Sequence, residues 1–372
     1  MLNKNEQRVL EMIENNPFIS QKKIGEELDL TRSTVATIIS SLTQKKFLLG
    51  RAYVVNQSSG IYCIGAMNVD RKYNLLEPMV LGTSNPATSN VSVGGVARNI
   101  AENLGRKQID VSLISLGGHD QDFNYIKRET APFVNMQHVM QKKDFSTGTY
   151  NAVLDSTGEM ELALADMQIN EEMNVEWITE FQTLLSEARL LILDLNLPYE
   201  TVVYLLTLAR QFDIEVFIIP VSGPKMNRLP KDLKGVTWLI VNQDESEAYF
   251  DVKVEDEEDF QALVNRWLDS GVENIVITRG GKGSIYGNRQ GVRHTFVPPI
   301  AENIVDVTGA GDAYASGIIY GHLKGFEPKE SIYLGMTNAY YTIQSPYTVR
   351  VDLTEEKLLE QMEDLFKKEN SK

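Results

Sequence analysis

The string Asp306-Val307-Thr308-Gly309-Ala310-Gly311-Asp312 runs straight into AYASGIIYGHLKG, an apolar stretch with helical character. A Gly-Ala-Gly turn at the mouth of a helix leaves several backbone N–H groups without intrahelical partners. Together with the positive end of the helix dipole they form an anion site. An aspartate there repels an anion, so it is out of place if holding phosphate is the only task. It makes sense where a hydroxyl must lose its proton beside a phosphate. The carboxylate takes the proton while the amides stabilise charge developing on the phosphoryl oxygens. The alternative is an ordinary Gly-rich strand-to-helix turn with Asp312 as a cap.

Such a turn needs a strand before it and a frame around it. From Ile61 onward, Val/Ile/Leu-rich runs alternate with amphipathic stretches. IYCIGA, VSLISLGG, ARLLILDL, IEVFIIP, VTWLIV and ENIVITRG read as buried strands. VARNIAENLGRK, YETVVYLLTLARQF and EDFQALVNRWLDSG read as helices between them. The pattern predicts an α/β fold with a central, mostly parallel sheet and helices on both faces. KYNLLEPMVLGTSNPATSNVSV and STGTYNAVLDSTGEMELALAD instead alternate around turn signals, as a small antiparallel β lid over the site would. The last stretch, TEEKLLEQMEDLFKKENSK, is a charged amphipathic helix.

Residues 1–57 differ. They carry a net charge of +2 within a chain of net charge −15. Val9, Leu10, Met12 and Ile13 mark a first helix, stopped at Asn15-Asn16-Pro17. Ser20 caps a second helix containing Ile24 and Leu28, and Thr31 caps a third with Val35, Ile38, Ile39 and Leu42 on one face. FLLGRAYVVN suggests a β-wing, and Gln57-Ser58-Ser59-Gly60 a linker. The order is that of a winged helix-turn-helix, whose third helix enters the major groove of DNA. Here that helix offers Arg32, Ser33, Thr34 and Thr37, with Lys45, Lys46 and Arg51 for phosphates. A small helical interaction domain is the alternative. The expected domains are 1–57 and 60–366.

The strongly acidic remainder argues against non-specific nucleic-acid binding by the whole chain. One cysteine, Cys63, precludes an internal disulfide and reads as a buried hydrophobe. His119, His138, His294 and His322 lack zinc-ligand spacing. No apolar run is long enough to span a bilayer and no signal-peptide core opens the chain, so a cytoplasmic location without membrane contact is expected.

The string DVTGAGDAYASGI, VSVGGVARNIAENLGR and the triplet Asn68-Val69-Asp70 at the end of the first strand resemble, in order, the signatures of the PfkB-type, ribokinase-like carbohydrate and nucleoside kinases. The resemblance covers about residues 60–366. It implies an ATP-dependent kinase with a ribokinase-like sandwich and lid. Asp312 is then the catalytic base, and Gly309, Ala310 and Gly311 supply the anion hole. Asn68, Asp70, Gly94, Gly95, Asn99 and Asn196 contact the substrate. Asn242-Gln243-Asp244-Glu245 matches an N-x-x-E motif, placing Glu245 on Mg²⁺ through water and Asn242 near the phosphates. Thr278, Gly280, Gly281 and Gly283 form a nucleotide loop, and Asn338 lines the adenine pocket. Asp306 and Thr308 imply a monovalent cation such as K⁺. No G-x-x-x-x-G-K-[ST] occurs, and Gly94-Gly95 does not fit G-x-G-x-x-G.

Within the family, NVDRKYNL through NLGR, and TGTYNAVLDSTGEMELALADM, are similar to pseudouridine kinases. Val96 stands where ribokinase-type enzymes often carry Lys, which suits a larger, flatter acceptor than a free pentose. Tyr150 and Asn151 are candidates to contact its base. The reaction implied is transfer from ATP to the 5′-hydroxyl of pseudouridine. Another nucleoside or sugar acceptor, or a ligand-sensing regulator with a non-catalytic kinase fold, are the rivals. Exposed lid strands favour a homodimer.

Overall fold

The structure is a computed structural model that describes residues 2–15, 21–45, 47–48, 60–301 and 303–366. The chain divides into two compact units, Met1–Gln57 and Ser58–Lys372.

In the first unit, helices Lys4–Asn15, Gln21–Leu28 and Arg32–Gln44 close over Val9, Ile24, Val35, Ile38 and Leu42. Thr31 caps the third helix, its hydroxyl accepting from the Thr34 amide. Arg32, Ser33, Thr34 and Thr37 are exposed along it. Lys45 does not stand free for phosphates. Its ammonium donates to both oxygens of the buried Glu6 (2.7 and 2.8 Å), which also accepts from Ser41 Oγ at 2.7 Å. Those donors hold the Glu6 carboxyl down at about 2. Lys45 is thus an internal staple between the first and third helices. The helix stop at Asn16-Pro17, the Ser20 cap, Lys46, most of the β-wing with Arg51, and linker residues 57–59 lie outside the described residues.

The second unit is built on a nine-stranded sheet. Its spatial order is Arg293–Phe296, Ser284–Asn288, Asn274–Thr278, Trp238–Asn242, Glu215–Ile219, Leu190–Asp194, Ile61–Ile64, Ser112–Gly118, Asn135–Lys142. All pairings are parallel except the two that add Ser284–Asn288 and Arg293–Phe296 at one edge. All six apolar runs read as strands are strands of this sheet. Alternate residues feed two cores. Tyr62, Ile64, Leu191, Leu193, Val216 and Ile218 enter one with the helices Tyr199–Phe212 and Glu257–Asp269. Cys63, Leu190, Ile192, Phe217 and Val276 enter the other with Val96–Arg106, Ala310–Lys324 and Pro328–Thr342. Burial on both faces explains why these strands carry continuous apolar runs.

The two hairpin-like segments form a separate four-stranded lid, in order Ala87–Gly94, Asn68–Leu75, Gly148–Leu154, Met160–Asp166. Asn68-Val69-Asp70 corrects one expectation. It does not end the first strand but opens the lid strand, after the turn Gly65–Met67. The lid is mixed and not antiparallel as expected: Asn68–Leu75 pairs antiparallel with Ala87–Gly94 but parallel with Gly148–Leu154. A run that alternates Asn68, Asp70, Lys72 on one side and Val69, Arg71 on the other suits such a half-solvated sheet better than a buried strand.

Candidate active site

The parallel strands all end on one side of the sheet, the edge where α/β folds bind ligands. Helix Ala310–Lys324 starts there. Gly309, its N-cap, has φ 81°, and a Cβ on it would lie 2.3 Å from Thr348 O, so the protein itself demands glycine. Gly311 is different: a Cβ there meets no protein atom within 4 Å, and the residue is exposed. Packing leaves its lack of a side chain unexplained, whereas room for a ligand against the first turn accounts for it.

Asp312 is half-buried in that first turn. Asn99 Nδ2 donates to its Oδ2 at 2.8 Å. Desolvation pushes the Asp312 carboxyl up to about 7. The Asn99 hydrogen bond opposes the shift, while the nearby charges of Asp194 and Asp70 add to it. A carboxylate poised near neutrality accepts a proton at physiological pH and gives it up readily afterwards.

Asn99 is held by Arg98, whose Nη1 donates to Asn99 Oδ1 at 2.8 Å. Arg98 is itself buried. It donates to Thr130 Oγ1 (3.0 Å) and Val93 O (3.4 Å) and pairs with Glu102. The relay Glu102–Arg98–Asn99–Asp312 therefore fixes both the position and the amide orientation of Asn99. The helix carrying it, Val96–Arg106, begins at Gly94-Gly95. Gly95 has φ 98°, and a Cβ there would lie 2.4 Å from Ala66 O; one on Gly94 would lie 2.2 Å from Asp70 Oδ2. The two glycines let the helix mouth sit directly against the lid root. Asn68 Nδ2 donates to Asp70 Oδ1 at 2.6 Å. Desolvation lifts the Asp70 carboxyl to about 6, against the pull of Asn68.

Asp194 ends the strand Leu190–Asp194 and is fully buried. Its Oδ2 accepts from the amides of Ala66 and Ala97 (both 3.0 Å) and its Oδ1 from that of Asn196 (2.8 Å). One side chain thus joins the lid root, the Gly94-Gly95 helix and the next loop. Desolvation raises its carboxyl even so, against those bonds and one from the Asn196 side chain. Asn196 is nearly buried beside it, its carbonyl accepting from Arg228 at 2.8 Å. Neither Asp194 nor Arg98 was expected from sequence. The only local signal was an acidic residue closing a buried strand.

Further along the edge, Asn242 and Glu245 form a reciprocal capping box on helix Gln243–Phe250. Asn242 Oδ1 accepts from the Glu245 amide (2.7 Å), and Glu245 Oε2 from the Asn242 amide (2.9 Å). Desolvation raises the buried Glu245 carboxyl, which a cation would reverse. Among the described residues no cluster of three or more His, Cys, Asp or Glu could hold a metal. A Mg²⁺ here would fit only as one carboxylate plus phosphates and water.

The Thr278–Gly283 loop follows the strand Asn274–Thr278. Gly280 and Gly281 are exposed, and a Cβ on either meets no protein atom within 4 Å, again leaving space for a ligand. Gly283 is structural, packed against Phe296 O. Thr278 Oγ1 donates to Val241 O at 3.4 Å. Between this loop and Asp306, Val297, Ile300, Ile304 and Val305 are exposed apolar side chains that sequence reasoning passed over. Lys225, in the loop after Glu215–Ile219, was also missed. It is half-buried, and its ammonium makes no hydrogen bond or ion pair with the described residues. Desolvation lowers its ammonium pKa, and Arg228 adds to that against Glu171 and Asp194.

Three expected roles do not fit. Asn338 is fully buried and lines no open surface. Its amide donates to Asn103 Oδ1, Ala313 O and Ser316 Oγ (2.9–3.1 Å), tying together three helices of the core. Tyr150 and Asn151 are not a pair: Tyr150 registers with Asp70 and shares its face, whereas Asn151 registers with Arg71 on the other. Asp306 and Thr308 are both bonded to Lys72, so they do not offer an open cation cradle.

A profile of the pfkB family carbohydrate kinases matches residues 58–355, and one of winged helix-turn-helix DNA-binding domains matches residues 2–47. The uncharacterised sugar kinase YeiI of Escherichia coli is 28% identical over 331 residues, covering 89% of this chain and 91% of its own. The pseudouridine kinase of Escherichia coli is 27% identical over 297 residues, covering 79% and 93%. A solved structure of a sugar kinase from Clostridium perfringens superposes with a TM-score of 0.72 at 27% identity, covering 83% of this chain and 97% of that one.

Proposed function

The chain belongs to the pfkB family of carbohydrate kinases, with a winged helix-turn-helix at its N-terminus, and within that family we propose that it phosphorylates the 5′-hydroxyl of pseudouridine from ATP. The observation that carries the phosphotransfer reading is Asp312, a carboxyl with a pKa near 7 at a helix mouth whose next-door glycine faces open space.

In this reading Asp312 takes the proton of the acceptor hydroxyl as that oxygen attacks the γ-phosphorus. The amides of the Gly309–Gly311 turn receive the charge that grows on the phosphoryl oxygens, and ADP leaves. Asn99 orients the base. Asn68 and Asp70 bind ribose hydroxyls, with Gly94, Gly95 and Asn196 shaping the floor. Thr278, Gly280 and Gly281 lie along the nucleotide, with Asn242 near its phosphates. Glu245 would hold Mg²⁺, which when bound would supply positive charge against the phosphates. Lys225, whose ammonium has no partner among the described residues, is suited to a phosphate oxygen.

For the acceptor, the similarity to a pseudouridine kinase is supported by two local features. Val96 supplies no side-chain donor at the sugar, and Tyr150 stands on the Asp70 face of the lid, where a base would lie. The test is to incubate the protein with ATP·Mg²⁺ and a panel of nucleosides and sugars. Preferential conversion of pseudouridine to its 5′-phosphate supports the proposal. Preference for another nucleoside or a free sugar rejects the acceptor while keeping the kinase.

A second role is favoured by the exposed Arg32, Ser33, Thr34 and Thr37 on the third helix: the N-terminal unit binds DNA through its major groove. We also propose a homodimer through the lid, whose outer strand Met160–Asp166 exposes Leu162 and Leu164.

A further inference from the structure

Lys72 lies on an interior strand of the lid, paired on both sides, at the same face as Asn68 and Asp70. Its ammonium reaches the loop that precedes the anion turn. There it bonds the Asp306 carboxylate and donates to Thr308 Oγ1 at 3.0 Å. Thr308 in turn donates its hydroxyl to Asp306 Oδ1 (2.7 Å), and that same oxygen accepts the Thr308 amide (2.9 Å). The amides of Val305 and Asp306 are fixed from the other side by Ile343 O, at 2.8 and 3.2 Å. The result is a closed ring of ammonium, carboxylate and hydroxyl whose last member, Thr308, abuts Gly309. The Asp306 carboxyl lies below its ordinary value because the Lys72 and Thr308 bonds outweigh the effect of burial.

An anionic carboxylate one turn from a transferring phosphate opposes the reaction unless a positive charge accompanies it. A monovalent metal could supply that charge through the Asp306 carboxylate and Thr308 hydroxyl, but both are engaged by a covalently attached cation of the same charge. A second cation beside it would be repelled.

We infer that the Lys72 ammonium is the built-in counterpart of a monovalent metal at Asp306 and Thr308, holding the anion turn in shape and making the protein independent of K⁺. Lys72 is a positioning residue on this account, because it acts through the loop. Since it is carried by the lid strand that also bears Asp70, the anion turn is set only when the lid root is in place. The inference rests on the reading of Gly309–Gly311 as the phosphoryl-binding turn.

The test compares wild type and Lys72→Met in potassium, ammonium, sodium and choline chlorides at equal ionic strength. Thermal unfolding, which needs no turnover, is measured alongside phosphotransfer from ATP. The expected wild-type enzyme has the same melting temperature and turnover in all four salts. Lys72→Met is expected to lose at least about tenfold in turnover in choline. It should regain most of that loss in potassium or ammonium, and melt a few degrees higher in those salts as a bound cation stabilises it. The double variant Lys72→Met/Asp306→Asn should show neither rescue nor salt-specific melting. A wild-type protein that needs potassium or melts higher in it overturns the inference, as does a Lys72→Met protein with unchanged turnover or no salt-specific rescue. If no phosphotransfer occurs in any protein but the melting pattern holds, the kinase reading fails and the cation role of Lys72 stands.

Discussion

Asn99 Nδ2 points at Asp312 Oδ2 at 2.8 Å, and Arg98 holds the other end of the same amide. The Asp312 carboxylate is thus held from one side only. Its Oδ1 accepts no hydrogen bond from the described residues, which in the proposed reaction leaves it for a substrate proton.

Replacing the base gives the first expectation. Asp312→Asn keeps the shape of the turn but cannot accept a proton. Turnover should fall about a hundred- to ten-thousand-fold with ATP affinity retained, checked by steady-state kinetics and nucleotide titration.

The pH profile follows from the direction of the shift. If Asp312 is the base, it works only when ionised, so kcat/KM should climb with pH and level off above about 7. Asn99 favours the charged form, so Asn99→Ala should move the midpoint to higher pH. Asp194→Asn removes a repelling charge and should move it lower.

Stability should carry the same signature with opposite benefit. Folding raises the Asp312 pKa from its ordinary value near 4 to about 7. The folded state therefore binds the proton more tightly, and this contribution is complete below about 4 and lost as pH rises through 7. Asp312→Asn escapes the loss. Its melting temperature should exceed that of wild type by a margin that grows between those pH values and is constant above them.

Two glycines separate structural from ligand demands. Gly309→Ala forces a positive φ and a backbone clash with Thr348, so it should destabilise the fold by at least about 1 kcal/mol. Gly311→Ala meets open space and should melt like wild type, yet raise the KM for ATP or slow turnover.

Asp194 ties three segments through backbone amides. An Asn there turns an NH₂ group toward at least one N–H donor, at a cost of about 1–3 kcal/mol. Chemical denaturation of Asp194→Asn should show that loss, and the KM for the acceptor should rise because the Gly94-Gly95 helix mouth is no longer pinned to Ala66.

Much of this was legible in the sequence, for identifiable reasons. Buried parallel strands announce themselves as unbroken apolar runs, and Asp306–Asp312 reads as a candidate site because an acid at a Gly-rich helix mouth makes little sense as packing alone. Three strands of the sheet, Asn135–Lys142, Ser284–Asn288 and Arg293–Phe296, were missed because NMQHVMQK, SIYGN and RHTF are polar or carry a glycine and read like loops. Asp194 and Arg98 were invisible because their partners, Ala66 and Thr130, lie 128 and 32 residues away. Asn338 was misplaced because an asparagine on a helix has the same sequence signature whether it faces a ligand or a buried polar network. Lys45 looked like a phosphate contact until Glu6, 39 residues earlier, was seen to claim it.

The most direct test is to follow ATP and pseudouridine by phosphorus NMR with wild type and with Asp312→Asn. The account expects the wild-type protein to form ADP and one new phosphomonoester on the 5′-oxygen in equal amounts, and the variant to form almost none. A variant that makes the ester at the wild-type rate would contradict it.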